Sequence, residues 1–196
     1  MKTFKNILIL AVILCYALDL SAQNKVEKES RIEVDELPQT IVTVLSTLPE
    51  DAKRIRYYKE TDGDKHSFES KFKFRRHWHS VEFSNFGILE DIEITVKERD
   101  IPDLVKLVIS NYLNAQSQKF NFIKIQEQYI FDPNQTVIPF LNSVVTNRMQ
   151  MQCNYEIIVA LKQNTVWQLK EMTFDSKGEF MNSRTIQPDS YEYIMY

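Results

Sequence analysis

Glu36-Leu37-Pro38-Gln39-Thr40-Ile41 returns 64 positions later as Asp100-Ile101-Pro102-Asp103-Leu104-Val105, an acid, an apolar residue and a proline opening an apolar stripe in the same register. In the first copy Leu37, Ile41, Val44, Leu45 and Leu48 recur at the spacing of one helical face, and in the second Ile101, Val105, Val108, Ile109 and Tyr112 do. Pro38 and Pro102 suit a first helical turn, where a missing N–H costs nothing, while Asp35 offers an N-cap and Pro49 a stop. Two amphipathic helices that begin alike in one short chain point to an internal repeat.

Period-two sequence follows each helix. Behind the first, Arg54–Tyr58 leads to the turn Thr61-Asp62-Gly63-Asp64, after which Phe68, Phe72 and Phe74 alternate with Glu69, Lys71 and Lys73, as a half-buried antiparallel strand requires. Trp78–Phe83 and Ile88–Val96 continue the meander, with Ile88, Ile92, Ile94 and Val96 on one parity. Behind the second helix the corresponding stretches are Phe120–Phe131, Asn154–Leu161, Trp167–Phe174 and Glu179–Ile186. The turns agree as well: Phe83-Ser84-Asn85-Phe86-Gly87 matches Phe174-Asp175-Ser176-Lys177-Gly178, and two of the three glycines fall there, where a left-handed backbone is most in demand. One helix followed by about four strands, twice over, predicts an α+β fold with two helices laid on one face of a long antiparallel sheet. The first repeat spans 35–99 and the second 100–196; the second carries an insertion at 132–149, with Pro133, Asn134 and Pro139, that reads as a long loop. The charged stretch 23–34 reads as a flexible lead-in.

The first 22 residues have the plan of a secretory leader: Lys2 and Lys5, an apolar run from Ile7 to Leu18, and Ser21-Ala22 as small residues for cleavage after Ala22. The apolar run is shorter than the roughly 20 residues a membrane-spanning helix needs, and no later run reaches that length. Leu14 is bulky where lipoprotein processing at Cys15 would want a small side chain, so a free periplasmic or secreted protein is expected. Removal of the leader takes away Lys2, Lys5 and Asp19 and leaves 22 basic against 26 acidic residues, a poor balance for nucleic acid. Cys153 is then the one remaining cysteine, so stability has to come from a packed core rather than an internal disulfide.

The doubled helix and meander, led by Leu37-Pro38 and Ile101-Pro102 and closed by Phe-x-x-x-Gly turns, resembles the exported bacterial PepSY-like family, whose fold is that of the β-lactamase inhibitor proteins. The resemblance runs from Asp35 to about Ile186. It implies a periplasmic or secreted, non-enzymatic module with a sheet face or loops open to a partner, an inhibitor or modulator of a protein being one such role. No inhibitor contact loop is matched, fold does not carry function, and the insertion at 132–149 departs from the compact family pattern.

Candidate binding residues follow from the strand patterns. Lys71, Lys73 and Arg75 alternate with Phe72 and Phe74; the aromatics read as the core face and the basic groups as a solvated face suited to an acidic protein loop, an anionic glycan or a lipid headgroup. Trp78 and Trp167 fall at similar places in the two repeats, as core pieces or as interface anchors. His77 and His79, two apart on a strand, project to one side and make a weak candidate metal pair, because two ligands are not a site. Glu90-Asp91 abuts a turn and reads as solvated, Cys153 as a buried thiol, and the apolar Tyr191-to-Tyr196 end as a final docked strand. No nucleophile, metal-hydrolase or phosphate-loop motif is present, so neither catalysis nor a cofactor is expected. The sequence reading is therefore a binding module for an extracytoplasmic protein, peptide or glycan, with a metal or small-ligand sensor or carrier as its alternative.

Overall fold

The computed structural model describes residues 23–25 and 27–186; the expected leader with its cleavage point and the expected final strand at Tyr191–Tyr196 lie outside the described residues. In chain order the elements are β1 (Gln23–Lys25), β2 (Glu27–Ile32), α1 (Gln39–Leu45), β3 (Lys53–Asp62), β4 (Lys65–Phe74), β5 (His77–Ser84) and β6 (Leu89–Val96). Then follow α2 (Asp103–Gln116), β7 (Lys119–Ile130), α3 (Val137–Asn147), β8 (Asn154–Gln163), β9 (Val166–Phe174) and β10 (Phe180–Ile186). The class is α+β. Strands β2 to β10 form one antiparallel sheet in sequence order, and β1 adds to β10 in parallel.

One face of the sheet is apolar and carries the helices. Alternate residues of the strands, among them Phe72, Val81, Ile94, Ile157 and Phe174, pack with Ile41 and Leu45 of α1 and Ile109 and Leu113 of α2 in a single core. Each helix is preceded by a 3-10 turn, Val34–Glu36 before α1 and Glu98–Asp100 before α2, and Pro38 and Pro102 occupy the N-cap positions with nearly the same backbone angles. Asp35 thus lies in the 3-10 turn rather than at the cap. There the Glu36 carboxylate accepts from the Glu33 N–H at 2.9 Å, and the Asp100 carboxylate accepts from the Lys97 N–H at the same distance.

The sheet also closes. β1 and β2 stand at opposite ends of the strand order, yet only Val26 separates them in sequence. Lys25 pairs with Ile186 on β10 and Glu27 pairs with Asp62 on β3, so those strands face one another across a seam. Arg184 of β10 bridges it, donating from Nη1 to Asp62 Oδ2 at 2.5 Å. The sheet curls with its polar face inward and its apolar face outward under the helices.

Three expectations change. The lead-in 23–34 carries β1 and β2, because extended backbone there pairs two otherwise open edges. The insertion 132–149 contains α3 instead of a long loop; Phe140, Leu141, Val144 and Val145 are buried at helical spacing, and the Phe140 ring meets Phe131 edge-on at 5.3 Å. On β6 the buried residue is Leu89 and not Ile88, which is 58% exposed, because the register with β5 shifts between Glu82 and Phe83.

The two glycine turns are alike in detail. Ser84 N–H donates to the Ile88 carbonyl and Gly87 N–H to the Ser84 carbonyl; Asp175 and Gly178 repeat both bonds, with Glu179 in place of Ile88. Gly87 and Gly178 have φ of +76° and +84°, and each lies under a helix start. A Cβ at Gly178 would come within 2.7 Å of the Val105 carbonyl oxygen, whereas one at Gly63, φ +60°, would meet nothing within 4 Å. Gly178→Ala is therefore expected to cost about 2 kcal/mol or more, against about 1 kcal/mol for Gly63→Ala, where only the backbone preference is lost. Urea unfolding of the two variants checks the order.

Candidate functional site: the inner face and mouth of the curled sheet

The inward face gathers charge from nearly every strand. Glu29 on β2 is the direct partner of Glu60 on β3, and Glu69, Glu82 and Asp91 face one another across β4, β5 and β6. Like charges in direct cross-strand register repel, so the interior has to supply protons, donors or counter-charges. Ser80 donates its hydroxyl to Glu69, Gln126 its amide to Glu93, and Gln128 its amide to Asp91 at 2.9 Å. Lys71 reaches Glu29 at 2.6 Å and Glu69 at 3.1 Å, and Arg184 binds Glu171 besides Asp62.

Burial, with Glu69 adding to it, raises the Glu29 carboxyl to about 7 and Glu60 further, and burial takes Asp91 to about 6. Burial lifts Glu82 and Glu93 well above the usual carboxylate range too, helped by Asp91 at Glu82 and by Glu156 at Glu93. For Lys71 burial works against the charge, but Glu69 and Glu29 outweigh it and the ammonium is held above its ordinary value. Glu27, Glu29 and Glu60 bring one carboxylate oxygen each within 4.8 Å of one another, a spacing that a hard divalent cation accepts, though Lys71 already serves Glu29 there.

Above this interior the curl opens into a cavity of about 720 Å³. Two β-bulges shape its rim. On β3 the register slips between Lys53 and Arg56, with Arg54 at φ +58°, and on β7 it slips between Phe122 and Lys124. Bulges bend a strand and re-aim its side chains; here Arg54, Arg56 and Lys124 line the rim with Tyr58, Trp78 and Phe122. Arg54, Arg56 and Lys97 make no ion pair among the described residues, while Lys124 also lines the acidic interior with Glu93 and Glu156. Lys71 forms the cavity floor, 5.1 Å from the Tyr58 ring centre. A second recess of about 500 Å³ adjoins the first and shares Trp78, Thr95, Val96 and Lys97 with it.

The residues singled out from sequence are thus partly brought together. Trp78 stands between the two recesses, Lys73 is its cross-strand partner and lines the second, and Lys71 belongs to the first. Lys71 is not on a solvated face: odd positions of β4 point into the curl, as do Glu82 and Asp91, so Glu90-Asp91 is not a solvated pair either. Arg75 also lines the second recess, in a left-handed conformation at φ +43°, and donates to the Thr146 carbonyl at 3.1 Å. Trp167 lies apart on β9, 45% exposed under the Lys162 ammonium, and neither tryptophan belongs to the core.

His77 and His79 are occupied on the protein side. His77 Nδ1 lies 3.0 Å from the Thr95 carbonyl and its Nε2 3.3 Å from Arg148, a cation that disfavours a metal there. His79 is buried, stacks on Phe72 at 5.0 Å, and is lowered by burial to about 4. Cys153 is half-buried just before β8, and burial, then Glu127, push its thiol up to about 11. Sequence reading missed Arg54, Arg56, Tyr58, Phe122 and Lys124; the common parity of Arg54, Arg56 and Tyr58 was a usable signal, the bulges were not.

No family model matches the chain, so the PepSY-like resemblance has no counterpart there, and no curated protein matches either. Solved structures do. A DUF2874 family protein from Bacteroides ovatus aligns at TM-score 0.51 and 10% identity, covering 76% of this chain and 86% of that one. A candidate periplasmic protein from Bacteroides eggerthii gives TM-score 0.51 at 11% identity over 76% and 88%, and a BLIP-like protein from Bacteroides fragilis 0.47 at 13% over 76% and 87%. At such identities the likeness is one of fold. Among the described residues no helix is long and apolar enough to cross a membrane.

The interior carboxyls have a consequence for stability. Their folded values lie above the unfolded ones, so the stability they contribute is fully present below about pH 4 and is lost as pH rises through 6 and 7 for Asp91 and Glu29. His79 acts oppositely, losing stability as pH falls from 6.5 through about 4, but it is one group against several. The protein is expected to be more stable at pH 5 than at pH 8 in urea titrations. Glu82→Gln, which imitates the protonated side chain, is expected to shrink that difference by about 1 kcal/mol or more.

Proposed function

We propose that the protein is an exported, non-enzymatic binding module of the periplasm, and that its partner is engaged at the mouth of the curled sheet around Trp78. The observation that carries the reading is the 720 Å³ cavity in which aromatic and unpaired basic side chains converge. A volume of this order is typical of ligand sites, and indole and guanidinium groups are typical of binding hot spots. The leader pattern at residues 1–22 and the fold likeness to candidate periplasmic proteins support the compartment. The non-enzymatic reading rests on chemistry: the perturbed carboxyls are tied to one another in the interior, and the Cys153 thiol is held protonated. The PepSY-like kinship is kept as part of this reading. So is the division into repeats at 35–99 and 100–196, supported by the matched proline caps and glycine turns.

The partner is an extracytoplasmic protein, whose activity the module modulates, or a small ligand of the size the cavity accepts. The test is affinity capture from an envelope extract of the producing organism, with the leader-processed chain and its Trp78→Ala variant side by side. A partner retained by the first and lost, by tenfold or more, from the second is expected. Equal retention by both, or none by either, counts against the mouth as the binding site.

A further inference from the structure

The mouth sorts charge in a way the chain as a whole does not. The protein is acidic, with 27 Asp and Glu against 24 Lys and Arg, yet much of that acid faces the closed interior. There Glu29 and Glu69 are already tied to Lys71. Above Lys71 the balance reverses. Arg54, Arg56 and Lys97 line the main cavity without an ion pair among the described residues, with Glu98 as the further acid of its lining. Lys124 lies between this cavity and the acidic interior, and Arg75 and Arg76 line the adjoining recess. Three of these arginines, Arg54, Arg75 and Arg76, have φ of +58°, +43° and +72°. At Arg75 and Arg76 the two-residue hairpin between β4 and β5 demands that conformation, whereas at Arg54 it belongs to the β3 bulge, which re-aims the side chain. At its other left-handed positions among the described residues the chain has glycine at 63, 87 and 178 and asparagine at 164.

Between the basic groups stand aromatic surfaces. Trp78 is half-buried and borders both recesses, and Tyr58 carries the Lys71 ammonium on its face, while Phe122, at the β7 bulge, is turned to the core beside Phe120. Guanidinium groups bind carboxylates through paired N–H donors, and an indole face takes a planar ring. Resting on the reading that the mouth is the binding site, we infer that it recognises a carboxylate-bearing aromatic group: the carboxylate on Arg54 and Arg56 at the rim, and the ring against Trp78. That chemistry could belong to a free aromatic acid or to an acidic, aromatic segment of a protein. A cation is the wrong occupant, because the rim repels it before it reaches the acidic interior, which Lys71 guards.

Isothermal titration of the leader-processed chain tests the inference with two pairs of probes of matched shape. These are 2-naphthoate against 2-naphthylmethylammonium, and the capped peptide Asp-Tyr-Glu against Lys-Tyr-Lys. At least one anionic probe is expected to bind, and its cationic counterpart to bind at least tenfold more weakly. Binding should weaken with added salt, by about tenfold in Arg54→Ala with Arg56→Ala, and by a similar factor in Trp78→Ala. A tighter naphthoate supports the free acid as the source; a tighter acidic peptide supports the protein segment. Cationic probes that bind as well as the anions, with the same dependence on Trp78, would overturn the ligand class and leave the mouth as a binding site. Anion binding untouched by the double arginine variant would overturn the inference as well, as would silence from all four probes. Circular dichroism of each variant separates lost recognition from lost folding. Gly63→Ala, on a turn away from the cavity, is the control expected to leave binding unchanged.

Discussion

The molecule depends on a seam. Its sheet is long enough to curl until β10 and β3 confront each other, and what joins them is the short β1–β2 segment with the Arg184 guanidinium. Arg184 holds Asp62 on one side of the seam and Glu171 on the other. Without that bridge two strand edges would stand open, with unpaired backbone groups and buried carboxylates on either side. Closure then dictates the rest: the concave face becomes an interior too narrow for helices, so the helices and the apolar core must lie on the convex face.

An interior lined by Glu29, Glu60, Glu69, Glu82 and Glu93 is not an obvious way to build a stable sheet. It holds because each carboxylate is met by something. Lys71 and Arg184 supply charge, Ser80, Gln126 and Gln128 supply donors, and burial keeps protons on several of the remaining groups. A charged interior of this sort stabilises little for its size, since desolvation cancels most of the Coulomb attraction. What it does is set one register. A one-residue slip of any strand would turn glutamates into the apolar core and phenylalanines into the charged interior.

That argument also explains which parts of the fold were legible from sequence. The two helices announced themselves through Leu37-Pro38 and Ile101-Pro102, and the strands through period-two alternation, because both patterns are local and one face of each element is apolar. The closure was not legible. The sequence between Gln23 and Ile32 is charged and lacks an apolar stripe, as a strand does when it lies at a seam with its inner face toward other charges. The same blindness explains Lys71 and Asp91: a polar residue on a strand is ordinarily solvated, and only the curl, which depends on pairing between residues 23–32 and both distant edges, puts it inside. The insertion was misread for another reason. Pro133, Asn134 and Pro139 looked like loop punctuation, but Pro139 falls in the first turn of α3, where a proline belongs.

The candidate site follows the same division between local and distant causes. Trp78, Lys71, Lys73 and Arg75 were visible because they share a hairpin, and a hairpin is read directly from sequence. Arg54, Arg56 and Phe122 join them only through two bulges on strands that sequence reading treated as regular. Each bulge gives up regular ladder pairing and, on β3, forces an arginine into a left-handed conformation. The β7 bulge separates Phe122, packed on the convex core beside Phe120, from Lys124 on the inner face. A closed sheet of regular strands would have been the simpler solution for stability alone. These two departures fall together at one end of the curl, around Trp78, whereas the register shifts of β5 against β6 and of β9 against β10 sit beside the glycine turns. At the Trp78 end the two bulges widen the curl where basic groups and an indole face meet, which is what a binding mouth requires.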